Sequence, residues 1–440
     1  MTSQSCFYQI LSLGSTINAV SYDSLLPSKN ESTKTAQKQI EQVYLPFSSQ
    51  HHEVAKEKLP ILISGAGIAG LALADSINNM NEELEPSQRI PFIIIERDEK
   101  SDSRNQGYGL TFLPETLAYI KQSNVLPSLK DRVVLLSEGY ETRSHTGELL
   151  GLDLKENDAQ LKNVISRGEV RNAFLDKVGK EKVLWGTMVT SFEKTKAGIL
   201  LHFKSKGEEK TILVANLIAA DGVNSKIREI VVKDAKNYLG VIGVYGRLPN
   251  SAAAEHLKHE FQINDNKGWR LFSKPYNVEN YNWQMFFPWN KKKPILDHKQ
   301  MLHYIVSKMS DHKWESKFIH LVKDTDPETM RSGLLYDRNP ISQLQNAGAV
   351  TFVGDSAHPV SPYKGRGANM ALQGVQVFTQ ITKEAVASGA KAGRDVDWAE
   401  VNRLYEAKHW PRASEVQTSC RESVMEHHFT QANSLTSSQK

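Results

Sequence analysis

Six residues constrain this chain more than any others: Gly65-Ala66-Gly67-Ile68-Ala69-Gly70. An apolar run, Leu59 to Ser64, precedes them, and helix-forming residues from Ala66 to Ile77 follow. A strand, a tight glycine turn and a helix in that order leave three places where a side chain is costly. Gly65 permits the turn, Gly67 lets backbone approach a pyrophosphate, and Gly70 lets the helix lie close to the strand. The phosphates would sit at a helix N-terminus, where unpaired N–H groups and a partial positive charge attract them.

A second apolar run, Phe92 to Ile95, ends in Glu96, 26 residues beyond Gly70. The carboxylate that holds a ribose hydroxyl in such folds stands about 20 residues on. The polar loop NNMNEELEPSQR takes up the extra length. Two further segments share this style. Leu213 to Ala220 reads as a buried strand that delivers Asp221-Gly222, then Val223-Asn224-Ser225-Lys226-Ile227-Arg228. Val350 to Val353 reads as another, delivering Gly354-Asp355 at the strand edge where open α/β sheets bind ligands. Pro359, Pro362 and Gly365-Arg366-Gly367-Ala368-Asn369 then shape an irregular loop that enters a helix at Met370.

In this order the three segments resemble the class A flavoprotein monooxygenases, the p-hydroxybenzoate hydroxylase family, over residues 59–415. The resemblance implies an α/β fold: a Rossmann-like FAD-binding domain (GR2-type) interleaved with a β-sheet substrate domain, followed by C-terminal helices. Residues 59–132, 163–235 and 336–396 would form the FAD-binding domain. Residues 133–162 and 236–335 would form the substrate sheet, 397–430 a helical region and 431–440 a tail.

Carried over by position, Gly65, Ala66, Gly67, Ile68, Ala69, Gly70, Glu96 and Arg97 would hold the ADP half of FAD. Arg104 would lie near the flavin and pyrophosphate, and Arg167 would open the next helix against the cofactor, with Arg171 a weaker candidate. Asp221 and Gly222 match the motif linked to both FAD and NAD(P)H. Asp355 would bond the ribityl chain and the amides of Ala368 and Asn369 would meet the flavin pyrimidine edge, with Gly354 and Gly367 also counted among the cofactor-binding residues. The carbonyl of Pro362 would face the substrate. Lys364 departs from the small residue usual in the family and would place a cation near the ring or the entry loop, and Gln373-Gly374 departs from an acidic pair.

The implied reaction takes hydride from NAD(P)H to FAD and oxygen from O2 to a small, electron-rich, aromatic or polycyclic molecule through a flavin C4a-hydroperoxide. Hydroxylation and epoxidation both fit. The cofactor carries the chemistry, so no catalytic side chain is assigned and no metal-ligand motif is needed. A halogenase or reductase on the same scaffold, or a flavin-binding module without turnover, are the rival readings. No WxWxIP stretch of the halogenase type occurs.

Phe286, Phe287 and Trp289 could wall the pocket, although strand aromatics are more often core. Met301 to Val322 reads as helical, and Pro411 as a kink or a break between two helices. His358 falls near the ring by spacing, with a structural role at least as good a reading. The pairs His51-His52 and His427-His428 read as solvated tails.

Composition excludes other classes. A net charge of +4 on 440 residues argues against nucleic acid, and runs such as Lys291-Lys292-Lys293 read as solvated loops. Two cysteines, Cys6 and Cys420, build no disulfide framework and suit a reducing, cytoplasmic setting. No apolar run approaches the roughly 18 residues of a membrane span. Residues 1–58 read as a disordered extension, with organelle targeting the alternative that their serine-rich, acid-poor start offers.

Overall fold

Ile61–Ser64 forms β1, buried on both faces as a near-continuous apolar strand must be. In the computed structural model the described residues are 58–430, apart from 104–107, 124, 126–128, 130–133, 137–139, 154–161, 251–259, 278, 342–343 and 345–347. The chain continues through α1 (Ile68–Glu83), β2 (Phe92–Glu96), β3 (Gly109–Thr111), α2 (Pro114–Gln122), β4 (Val134–Leu136), β5 (Tyr140–Ser144), β6 (Leu149–Asp153), β7 (Lys162–Ser166) and α3 (Arg167–Val178). Next come β8 (Val183–Trp185), β9 (Thr187–Lys194), β10 (Ile199–Ser205), β11 (Glu208–Val214), β12 (Asn216–Ala219), α4 (Lys226–Val231) and β13 (Asn237–Pro249). Then follow β14 (Glu260–Asn264), β15 (Arg270–Pro275), β16 (Asn280–Pro288), α5 (His298–Asp311), α6 (Ser316–Lys323), β17 (Arg331–Asp337), β18 (Val350–Phe352), α7 (Gly367–Ala392) and α8 (Trp398–Met425).

Five parallel strands in the order β18-β12-β1-β2-β8 form the central sheet, with Ile63 opposite Ile218 on one side and Ile94 on the other. Helix α1 packs against both α3 and α7. This is a mixed α/β fold with a Rossmann-like core. The run from Leu213 to Ala220 is not one strand. Val214 ends β11, antiparallel to β10, and Asn216 starts β12, parallel to β1, so the chain changes sheets at Ala215.

A second sheet of seven strands has the order β17-β13-β16-β15-β14-β5-β6 and is termed the roof sheet. Its β13, β14, β15 and β16 are two-faced. Ile242, Val244, Ile263, Leu271, Trp283, Met285 and Phe287 point to one side, where Met301, Ile305 and Met309 of α5 and Phe318 and Leu321 of α6 cover them. Trp269 stacks on Phe287 with ring centroids 4.0 Å apart, and Phe287 meets Trp289 edge-on at 5.9 Å. Phe287 and Trp289 are therefore core, and only Phe286 turns to the opposite face. The expected helix from Met301 to Val322 is two helices, α5 and α6, parted at His312–Glu315 where the backbone turns through Lys313.

Helix α8 runs through Pro411 without separating. Tertiary bonds hold it on both sides of the proline. Tyr405 Oη donates to the Phe352 carbonyl at 3.2 Å, and Gln417 Nε2 donates to the Arg338 and Pro359 carbonyls at 2.7 and 3.1 Å. Among the described residues no helix is long and apolar enough to cross a membrane.

Candidate cofactor and active site

The glycine loop is defined by what a side chain would strike. Gly65 has φ +118°, and a β-carbon on it would stand 2.4 Å from the Ala220 carbonyl oxygen, so the loop crosses directly over the end of β12. A β-carbon on Gly70 would stand 1.9 Å from the Gly65 oxygen, whereas one on Gly67 would meet nothing within 4 Å. Gly67 caps α1, with no side chain bonded to the cap and no acid in the first turn. Ala66 and Ile68 are buried and Ala69 is half-buried. The Ala66 amide donates to Glu96 Oε2 at 2.8 Å, and the Asp98 amide donates to Glu96 Oε1 at 3.1 Å. Arg171 donates from Nε to the Ala66 carbonyl and from Nη1 to the Ser101 carbonyl, both at 2.9 Å. Arg97 is exposed, and Arg104 lies outside the described residues.

The other two segments arrive at the same sheet edge. Val353 N and Ser356 Oγ both donate to the Ala219 carbonyl, at 2.9 and 2.6 Å, tying the end of β18 to that of β12. Gly354 would place a β-carbon 2.9 Å from the Ala69 methyl and 3.4 Å from that of Ala371, so it sits between the starts of α1 and α7. Asp221 Oδ2 accepts from the Lys226 amide at 2.9 Å, while Oδ1 is buried with no hydrogen-bond partner among the described residues. Burial raises its pKa. Gly222 follows it at φ +78°.

Asp355 is open to solvent, yet enough protein surrounds its carboxyl for burial to raise its pKa, against the opposing charge of Arg167. Both hold because the carboxyl lines a cleft. A β-carbon on Gly367 would lie 3.9 Å from Asp355 Oδ1. Gly367 begins α7, which has no side-chain cap and no acid in its first turn. Ala368 is half-buried, and Asn369 is buried. Asn369 accepts from the Leu113 amide at 2.8 Å and donates to the Thr111 and Gly365 carbonyls at 3.0 and 2.9 Å. Pro362 is exposed, and its carbonyl accepts from the Gly365 amide at 3.0 Å. Arg167 lies with its guanidinium 5.9 Å from the Tyr108 ring.

The gathered groups suit an anionic dinucleotide. Two uncapped helix N-termini attract phosphate, Gly67 leaves room for it, and Glu96, Asp221 and Asp355 can accept from hydroxyls. A buried ionic knot fastens them. Arg228 donates to both Asp234 oxygens and to the Ser356, Ala357 and Asn339 carbonyls; Arg338 donates to Asp234 Oδ1 and the Val223 carbonyl. The sequence showed Arg228 only as part of a motif. Its partners lie up to 129 positions away.

Opposite the cleft, the roof sheet turns Tyr245 and Phe286 toward Tyr363, the residue after Pro362. Their rings form a row, with Tyr108–Tyr245 at 5.9 Å, Tyr245–Phe286 at 5.9 Å and Phe286–Tyr363 at 5.1 Å. His428 is not solvated. It is buried and bonded to Tyr363 Oη, because the π-helical turn Glu426–Thr430 folds back onto the roof. His427 is half-buried beside it, and His51-His52 lie outside the described residues. His358 is buried, and its Nε2 lies 3.2 Å from Nε2 of His409 in α8. Lys364 is exposed and donates to Ser419 Oγ.

The family model described as the FAD binding domain matches residues 58–381. Monooxygenase cfoF of Aspergillus candidus is 28% identical over 355 residues, which cover 73% of this chain and 83% of that protein. The 3-hydroxybenzoate 6-hydroxylase of Polaromonas naphthalenivorans (strain CJ2) is 25% identical over 334 residues, 72% and 77% of the two chains. Among solved structures, HpxO of Klebsiella pneumoniae complexed with FAD and uric acid superposes with a TM-score of 0.71 at 19% identity, covering 84% of this chain and 89% of that one. Three segments converging on one sheet edge, and a family match spanning most of the chain, give one conclusion: the chain belongs to the FAD binding domain family, among the flavoprotein monooxygenases.

Proposed function

We propose that this protein uses NAD(P)H and O2 to place one oxygen atom on a small aromatic or polycyclic molecule held between the cofactor cleft and the roof sheet. Bound FAD supplies the redox chemistry. The first turns of α1 and α7 hold its anionic groups, Glu96 takes a ribose hydroxyl, and Asp355 takes the ribityl chain. Arg167 adds positive charge beside Asp355. Arg171, tied to the Ala66 carbonyl, keeps the glycine loop in shape. The amides of Ala368 and Asn369 face the pyrimidine edge, where the positive end of α7 favours the anionic reduced ring. The aromatic row from Tyr108 to Tyr363 gives a ring-shaped substrate flat apolar surface and keeps water out.

We assign residues 59–132, 163–235 and 336–396 to the cofactor-binding domain and 133–162 and 236–335 to the substrate sheet, and place the protein in a reducing, cytoplasmic setting. In support of the last, Cys420 is a buried free thiol.

The observation that carries the reading is the meeting of Gly354 with Ala69 and Ala371, and of Gly65 with Ala220, at one cleft. The test is spectroscopic and kinetic. Purified protein should carry bound FAD, and phenols or polycyclic aromatics should accelerate NAD(P)H oxidation and O2 uptake, with products heavier by one oxygen. Bound flavin without stimulated turnover by any aromatic would leave a binding module instead.

A further inference from the structure

The turn beyond α8 sets the direction of a hydrogen bond to Tyr363, a half-buried residue of the loop that leads from Asp355 to α7. His428 Nδ1 lies 2.6 Å from the Gly268 carbonyl oxygen, which can only accept, so Nδ1 carries the hydrogen. Burial pushes the imidazole pKa down to about 4, leaving a neutral ring whose Nε2 is a bare acceptor at neutral pH. The partner of Nε2 is Tyr363 Oη, which must therefore donate. The Tyr363 hydrogen is committed, and the oxygen offers other partners only lone pairs.

The surroundings hold this arrangement. The Arg270 guanidinium rests 4.6 Å from the centre of the Tyr363 ring, on one side of a phenol that also packs on Phe286. The turn is seated by close backbone approach. A β-carbon on Gly268 would stand 2.7 Å from the His428 carbonyl oxygen, and one on Gly240 would stand 2.9 Å from the Phe429 ring. Tyr245 meets Phe286 edge-on, so the row of rings that carries Tyr363 continues toward Tyr108 on the cofactor side.

We propose that Tyr363 is a specificity-determining residue that accepts a hydrogen bond from a ring hydroxyl or amine of the substrate, and that His428 is the positioning residue that keeps it an acceptor. This rests on the proposed oxygenation of a ring-shaped molecule, and it adds which rings are taken.

Two measurements test it. Nitrogen-15 NMR of histidine-labelled protein, assigned by loss of the signal in His428→Gln, should show Nδ1 protonated and Nε2 bare at neutral pH, with the Nε2 signal displaced in Tyr363→Phe. A protonated Nε2 overturns the proposal, and this arm needs neither flavin nor substrate. In the second arm, binding of 3-hydroxybenzoate and 3-methoxybenzoate is read from the flavin spectrum. Wild type should prefer the phenol by roughly tenfold, the scale of one hydrogen bond. In Tyr363→Phe and His428→Gln the preference should fall to about twofold at unchanged flavin content, with a melting temperature lowered by the lost buried hydrogen bond. A wild-type enzyme that binds both probes equally or not at all, or a preference unchanged in Tyr363→Phe, overturns the proposal. Protein that cannot bind flavin defeats the cofactor reading instead, and the imidazole tautomer still decides the direction of the bond.

Discussion

Gly70 lies so close beneath Gly65 that a β-carbon on it would stand 1.9 Å from the Gly65 carbonyl oxygen. The first turn of α1 is thereby pressed against the loop that precedes it, and the next side chain in contact is the Ala220 methyl at 3.3 Å. Gly67, three residues earlier, faces open space. Two glycines of one motif thus differ in what surrounds them: Gly70 is closed in by packing, and Gly67 leaves room that a ligand could fill.

Substitutions should separate the two. Gly70→Ala must push α1 off the sheet and should cost about 3 kcal/mol or more of folding stability, read by urea unfolding. Gly67→Ala should fold with nearly unchanged stability. Gly67→Asp should fold yet lose flavin, because it sets a carboxylate where phosphate belongs. Retention of a full flavin spectrum by Gly67→Asp would contradict the assignment.

Asp355→Ala should weaken FAD by about 1–3 kcal/mol, the scale of a hydrogen bond to a charged group. Titration of the apoprotein with FAD measures it directly, and unchanged affinity would remove Asp355 from the site.

Arg228→Ala should destabilise the fold by about 3–5 kcal/mol, because it leaves Asp234 facing Arg338 alone and strands three backbone carbonyls. Lysine should not rescue it, since one ammonium cannot reproduce the planar fork. Equal unfolding midpoints for wild type and variant would refute the knot's role.

Glu406 of α8 sits largely buried against Thr351 Oγ1 at 2.7 Å, and burial pushes its pKa up to about 7. The folded state then holds a proton that the unfolded chain releases above 4.5, so stability falls as pH rises from 4.5 through 7. Partial exposure trims the effect to about 1 kcal/mol. Glu406→Gln should be near neutral at acid pH and more stable than wild type above neutrality, as melting temperatures across pH would show.

His358 and His409 act with the opposite sign. Burial, reinforced by their mutual charge, lowers the pKa of His358, and burial likewise lowers that of His409. The unfolded chain therefore binds protons that the fold refuses, and stability falls as pH drops below 6.5. His409→Asn should flatten that acid limb. An unchanged limb would place the acid sensitivity elsewhere.

Legibility followed the range of the interactions. The glycine loop, β1, β2 and β18 could be read from the chain because turn chemistry and apolar runs are local facts. Phe286 and Phe287 could not be told apart, because adjacent strand residues face opposite ways and only pairing with β13 and β15 shows which side is core. The His427-His428 pair reads as a polar tail by composition, yet the turn that carries it is seated by Gly240 and Gly268, far back in the sequence. Pro411 signals a break, but bonds from Tyr405 and Gln417 to distant carbonyls hold the helix on either side of it.

By itself, the order of residues determined a strand-turn-helix unit, the segments that accompany it and hence the family, since each rests on backbone geometry that a few neighbours impose. The tertiary structure alone decided which side chains gather at that sheet edge, which arginines fasten them and which histidine Tyr363 bonds. Those outcomes depend on groups separated by tens to hundreds of positions, and packing, not spacing, brings them within hydrogen-bond reach.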